Sequence, residues 1–122
     1  MLADTFAQLD ASERRQLRLA TAERLLAEGM ERYSMEELPK MITPHHDQSM
    51  PAVAAHVQHM MKTTSPRGAA AALRGRAERM DYTPLLAQIS VPTLIIVGDQ
   101  DVYTPVSDMQ FMHERIPGSE IV

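Results

Sequence analysis

The sequence predicts an α/β fold, in which a mostly helical stretch is followed by a β-α-β unit of a parallel sheet. Residues 93–97 are apolar without alternation, which is the pattern of a strand buried on both faces of such a sheet. Thr104 and Pro105 then provide a cap and a first-turn proline for a helix, and residues 119–122 begin a second strand. Two strands joined through a helix normally lie parallel.

The first helix is predicted over residues 10–28. Asp10 and Glu13 have the spacing of a capping box, and Gly29 supplies the stop. The helix has a broad apolar stripe, which indicates that this face packs against another part of the protein. The stripe consists of Leu17, Leu19, Ala22, Leu25 and Leu26.

Three further helices are predicted before the strand. One covers residues 30–42, with Pro39 expected to kink or end it, and residues 43–47 are expected to form a loop. The next helix has Pro51 near its start, and residues 63–66 break it. Ser65 and Pro66 then begin an alanine-rich helix that ends near residue 79, and residues 83–88 form a short helix or turn.

Composition restricts the class of protein. Twelve Lys and Arg stand against sixteen Asp and Glu among the 122 residues, for a net charge of −4, which does not fit a nucleic-acid-binding surface. The absence of Cys excludes disulfides and thiolate metal sites. The apolar runs are too short to span a bilayer, and the N-terminus lacks the pattern of a signal peptide. We therefore expect a soluble, cytoplasmic chain with neither nucleic acid nor membrane as a partner.

The predicted sheet is incomplete. A parallel sheet needs neighbouring strands and helices on both faces, yet the sequence offers one full strand and one stub. We interpret the chain as a piece of a larger domain. The strand at residues 93–97 is expected to have open edges, which predicts poor solubility or a homo-oligomer.

The segment Gly98-Asp99-Gln100-Asp101, with VPTLIIV before it and YTP after it, resembles a late strand of the α/β-hydrolase fold family. More narrowly, it is similar to the small bacterial hydrolases of the enol-lactonase and esterase type. The resemblance implies a partial α/β-hydrolase fold. Residues 1–9 would be the end of a core strand and a linker, residues 10–64 a helical cap, and residues 65–122 the incomplete C-terminal part of the core.

The resemblance also implies a function. The parent protein would cleave an ester, lactone or similar bond of a small-molecule substrate through an acyl-serine intermediate, without a metal or organic cofactor. The acid of its Ser-His-Asp triad falls on Asp101. However, no serine of this chain has the flanking glycines of a Gly-x-Ser-x-Gly elbow, and the family's histidine would follow the last strand. The chain is thus predicted to be a C-terminal fragment that is inactive alone.

Several acids and histidines have competing interpretations. Asp99 is expected to form the turn by accepting backbone N–H groups, and both acids could be no more than turn formers. His45, His46, His56 and His59 could bind a metal, although solvated side chains are the favoured interpretation. His113 is expected to lie on the surface and not to be the triad base.

The methionines and arginines of the helical stretch also need an interpretation. Met30, Met35, Met41, Met50, Met60, Met61 and Met80 could form an adaptable lid over an apolar substrate, but core filling is favoured. A non-catalytic helical interaction protein that uses this Met-rich surface is the alternative function. Arg14, Arg15, Arg18 and Arg24 are expected to form a solvated helix face paired with Glu13, Glu23 and Glu28.

Overall fold

Three short parallel strands form the sheet of the computed structural model, which describes residues 1–122. They are β1 (Leu2–Ala3), β2 (Leu94–Ile96) and β3 (Glu120–Ile121), in the order β1-β2-β3. Leu2 and Ile121 both align with Ile95 in the register of the sheet. The predicted strand is therefore confirmed, but the prediction that it has open edges is wrong. β2 is the central strand, and the unpaired edges belong to β1 and β3.

The helices follow the predicted order with one addition. They are α1 (Ser12–Glu28), α2 (Glu31–Met41), α3 (Pro44–Ser49), α4 (Pro51–Thr63), α5 (Pro66–Ala77) and α6 (Val106–His113), with a 3₁₀ helix at Thr83–Gln88 between α5 and β2. No helix is long and apolar enough to cross a membrane.

The chain divides into two compact units. The sheet unit comprises Met1–Leu9 and Met80–Val122, and the helical unit comprises Asp10–Arg79. The helical unit thus includes α5. The reason is that α5 packs along α1, a contact between residues about fifty positions apart that local patterns do not reveal.

The core of the sheet unit lies between β2 and α6. Ile95, Met109, Met112 and Ile116 are at most 2% exposed, and Leu86 of the 3₁₀ helix and Ala7 complete the cluster. The spacing of Met109, Met112 and Ile116 places one face of α6 and the turn after it against the sheet. The apolar face predicted for this helix is confirmed.

Small residues allow the helical unit to pack closely. Ala22 of α1 and Ala70 of α5 are fully buried, and Leu25 is the large buried side chain beside them. Ser34 of α2 is also fully buried, and its hydroxyl donates to the carbonyl oxygen of Glu31 at 2.7 Å. Because the buried groups are small, this unit relies on close helix approach more than on bulky side chains.

Gly29 ends α1, as the sequence predicts. Its φ is 77° and its ψ −166°, and its N–H donates to the carbonyl oxygen of Leu25. A side chain is strongly disfavoured in this backbone region, so glycine is required by conformation.

Replacing Gly29 by Ala is expected to lower the free energy of unfolding by about 1–3 kcal/mol, the usual cost of backbone strain of this kind. A Cβ at Gly29 would meet no atom within 4 Å, so the cost is conformational and not steric. Urea denaturation measures it. Gly75→Ala is the matched control, because Gly75 lies inside α5 with open space around it and no positive φ. At Gly75 the same change should raise the free energy of unfolding by about 0.5–1 kcal/mol. Equal effects at the two positions would contradict this account.

Two local predictions about the helices are wrong, and one of the two alternatives for Pro39 is excluded. Asp10 does not cap α1, which begins at Ser12 after Ala11 without a side-chain cap. Pro39 does not end α2, which continues to Met41; a proline in the last turn costs few helical bonds. Residues 43–47 are not a loop, because Thr43 caps the short helix α3 and accepts a hydrogen bond from the N–H of His46 at 3.3 Å.

The surface of the helical unit also differs from prediction. Leu17 and Leu26 are exposed, so the apolar stripe of α1 is narrower than its pattern suggested. Among the methionines, Met30 is buried as core filling requires. That interpretation is wrong for the methionines that are 43–68% exposed, namely Met35, Met41, Met50, Met60 and Met80.

The arginines of α1 do not pair within one solvated face. Arg14 and Arg18 contact Asp10, and Arg15 donates to the backbone of α5. Arg24 pairs with Glu36 of α2. Glu23 pairs with Arg74 of α5. Arg15 and Arg24 therefore connect α1 to α5 and α2. The spacing of residues along α1 alone could not indicate these contacts.

Candidate active site

The loop that follows β2 lies at the carboxyl edge of the parallel sheet. It runs over residues 97–105, and the N–H of Asp101 donates to the carbonyl oxygen of Gly98 at 3.2 Å. In open parallel sheets the crevice at this edge is where ligands bind. The loop leads into α6, which begins at Val106 after Pro105.

Asp101 organises this loop. Its Oδ1 accepts hydrogen bonds from the N–H of Tyr103 at 2.7 Å and from the N–H of Thr104 at 2.9 Å. Asp101 is half-buried and Thr104 is 4% exposed. Both amides bind the same oxygen, so Oδ2 is left for another donor. The side chain is thus held firmly while one carboxylate oxygen remains usable.

Asp99 does not have the turn-forming role that the sequence predicted for it. The backbone bonds expected there are made by Asp101, and Asp99 is exposed. An Asp two residues before the amide that it binds is a common turn geometry. The turn-forming role that the sequence left open for both acids thus belongs to Asp101.

His113 lies at the other edge of the sheet. It ends α6, which starts beside the carboxyl edge and leads to the amino end of β3. Its Nδ1 is 2.9 Å from the hydroxyl of Ser119, which precedes β3, and that hydroxyl donates to the carbonyl oxygen of Ile116 at 3.0 Å. His113 is half-buried, so it lies at the surface only in part. The structure does not bring His113 and Asp101 together.

Comparison with known proteins covers nearly the whole chain. Over 121 residues, 99% of the chain, it is 29% identical to 3-oxoadipate enol-lactonase 2 of Acinetobacter baylyi. It superposes on a thermophilic esterase from Thermogutta terrifontis with a TM-score of 0.93 and 36% identity over 99% of the chain. An enol-lactonase from Burkholderia xenovorans, at 24% identity, shares the fold with a TM-score of 0.85 over 98% of the chain.

The chain has the fold of the α/β-hydrolases, of which it spans a part. Its relatives are named as ester- and lactone-cleaving enzymes, which agrees with the resemblance at residues 91–105. The chain spans 44% of the length of the first enol-lactonase and of the thermophilic esterase, and 45% of the second enol-lactonase. No protein-family model matches it.

The serines of this chain that form hydrogen bonds serve its secondary structure. Ser34 donates to the backbone of its own helix, Ser65 caps α5, and Ser119 closes the turn before β3. None of the chain's serines follows a strand in a Gly-x-Ser-x-Gly turn. The chain therefore contains one candidate triad member, Asp101.

The histidines of α3 and α4 do not converge. The rings of His45 and His46 are 5.4 Å apart, and Nδ1 of His46 is 3.0 Å from the hydroxyl of Thr43. His56 and His59 are exposed on α4. No group of three His, Asp or Glu side chains is placed to hold a metal ion.

Proposed function

We propose that this chain is the cap and C-terminal part of a hydrolase that cleaves an ester or lactone of a small-molecule substrate by a Ser-His-Asp mechanism. The observation that carries the proposal is the placement of Asp101. It follows the central strand at the carboxyl edge of the sheet, and one of its carboxylate oxygens is left for another donor. The names of the relatives supply the reaction class.

Asp101 would act through the triad histidine. Its Oδ2 would accept the Nδ1–H of that histidine, which fixes the tautomer whose Nε2 takes the proton of the serine. As the serine attacks the carbonyl carbon, the carboxylate stabilises the imidazolium that forms. The two backbone bonds to Oδ1 hold the acid in position, so no reorganisation is required during the reaction. The mechanism uses no metal or organic cofactor.

The nucleophile and the base must come from outside these 122 residues. We therefore expect the 122-residue chain to hydrolyse p-nitrophenyl acetate no faster than buffer, because it has no Gly-x-Ser-x-Gly serine. The product of the same reading frame, extended to the nearest in-frame stop codons on both sides, should hydrolyse it. Steady-state release of p-nitrophenol from the two purified proteins is the measurement.

The serine of the elbow in the extended product is the control. Its replacement by Ala should remove the activity and leave the circular dichroism spectrum unchanged. Stop codons directly at both ends of the 122 codons, or an extended product without the elbow, would contradict the proposed function.

A second candidate function is a non-catalytic helical interaction protein. It is favoured by the exposure of four methionines in the helical unit, Met35, Met41, Met50 and Met60, which are 43–52% exposed. Thioethers adapt to varied partners. This function requires the extended product to lack hydrolysis while the methionine surface still binds a protein. An active extended product would argue against it.

A further inference from the structure

Asp10 stands where the chain enters the helical unit, and two arginines of α1 contact it. Arg18 donates from Nε to Oδ2 at 2.5 Å and from Nη2 to Oδ1 at 3.1 Å. Nη1 of Arg14 is 4.0 Å from Oδ1. The Asp10 side chain is 6% exposed and that of Arg18 12%. A two-pronged guanidinium–carboxylate pair at this burial is far stronger than a solvated surface pair.

The other end of the helical unit is anchored to the same turns of α1. Nε of Arg15 donates at 2.9 Å to the carbonyl oxygen of Ala77, the last residue of α5. Carbonyls in the last turn of a helix have no helical partner, so Arg15 satisfies one of them. Burial, together with the charge of Arg18, lowers the pKa of the neighbouring Arg76.

These contacts lie at the only two connections between the units. The chain passes from one unit to the other between residues 9 and 10 and again between residues 79 and 80. Three arginines on adjacent turns of α1 therefore contact the chain where it enters the helical unit and where it leaves.

We propose that Asp10, Arg14, Arg15 and Arg18 form a clasp that holds the two ends of the helical unit together. Without the clasp, the first turn of α1 and the last turn of α5 separate as a local event, while α2 and α4 stay folded. The Asp10 cluster is thus a conformational device at the base of the unit, and it does not depend on the proposed hydrolase activity.

Limited trypsin digestion of the folded 122-residue chain tests the clasp. Asp10→Asn keeps the size of the side chain and removes the charge. We expect it to raise the rate of cleavage after Arg76 and Arg79 by about tenfold or more, as the loss of a charge-assisted hydrogen bond implies. Cleavage after Arg32 and Lys40, in α2, should change by less than about twofold, because proteolysis follows local opening. Mass spectrometry assigns each cut.

A control and a second variant keep the test decisive. Glu23→Gln removes the exposed pair with Arg74 between the same two helices and should leave all cleavage rates within about twofold of wild type. Arg18→Lys retains the charge without the two-pronged geometry, and should open the same two sites to a smaller degree. If Asp10→Asn does not fold, the Arg18→Lys pattern decides. Equal acceleration at all sites, or none at Arg76 and Arg79, would overturn the clasp.

The dependence of stability on pH gives a second readout. The hydrogen bond from Arg18, opposed by burial and helped by the charges of Arg18, Arg14 and Arg76, lowers the pKa of Asp10 below its usual 3.8. A lowered carboxyl pKa stabilises the fold above pH 3.8, and this contribution is lost as pH falls through the lower value. The stability difference between wild type and Asp10→Asn should therefore stay constant near neutral pH and narrow below pH 3.8. A difference that is unchanged at the lowest pH at which both proteins fold would contradict the ionic role of Asp10.

Discussion

In the extended product of the reading frame, replacing Asp101 by Asn is expected to lower kcat/KM for an ester substrate by about 10⁴-fold, the size of loss that follows a change of the triad Asp to Asn. The loop should keep its conformation. Asn offers an Oδ1 that can accept the two hydrogen bonds from Tyr103 and Thr104. Its amide nitrogen, in place of Oδ2, donates and cannot accept the Nδ1–H of a histidine. The histidine would then be held in the wrong tautomer.

Two further variants separate catalysis from loop structure. Asp99→Asn changes an exposed acid of the same loop, and kcat/KM should stay within about threefold of wild type, since Asp99 makes none of the loop's backbone bonds. Asp101→Ala removes both oxygens, so it should lose activity and also lower the melting temperature. The melting temperature of Asp101→Asn should be nearly unchanged. If Asp99→Asn is the inactive variant, or if Asp101→Asn retains activity, Asp101 is not the triad acid.

The fold around this loop could be predicted because its signals are local. Residues 93–97 are an uninterrupted apolar run, so the strand follows from composition alone. Gly98 and Asp101 then mark the loop. Pro105 marks the start of α6, although the helix begins at Val106, one residue later than predicted. The apolar residues of α6 recur at helical spacing and are buried as that spacing requires. Each signal acts over fewer than about ten residues.

The errors arose where a distant residue competes with a local signal. Asp10 and Glu13 have capping-box spacing, but the Asp10 carboxylate binds Arg18 eight residues away. The two-pronged pair with the Arg18 guanidinium outweighs the single bond from a backbone N–H that the same carboxylate would accept as a helix cap. The packing of α5 on α1 is also invisible to local patterns, because it joins residues about fifty positions apart. Spacing along the chain does not contain this information.

The open edges were assigned to β2 because the strand that pairs with it, β1, is too short to be predicted. β1 has only two residues, and the hydrogen bond from the N–H of Asp4 to the carbonyl oxygen of Ile96 extends its pairing with β2. A strand of this length has almost no periodic signal. It was recognised only through resemblance to the end of a core strand, so its place beside β2 could not be derived from the pattern.

The central position of β2 gives the largest expected effect on stability. Replacing Ile95 by Ala should lower the free energy of unfolding by about 3 kcal/mol, within the usual range for removing a large core side chain. Ile95 is fully buried, and its register neighbours Leu2 and Ile121 pack against the same core. The side chains of Met109 and Met112 are flexible and can fill part of the cavity, which holds the cost below the upper end of that range. Urea denaturation of the 122-residue chain measures the loss.

A graded series distinguishes loss of packing from a general effect on the strand. Ile95→Val removes one methylene and should cost about 0.5–1.5 kcal/mol. Val91→Ala changes a residue that is 64% exposed just before the strand, and should cost less than about 0.5 kcal/mol. The losses should thus increase with the buried volume removed. If Ile95→Ala cost no more than Val91→Ala, the core of the sheet unit would not lie between β2 and α6, and the position assigned to Asp101 at the end of β2 would lose its structural support.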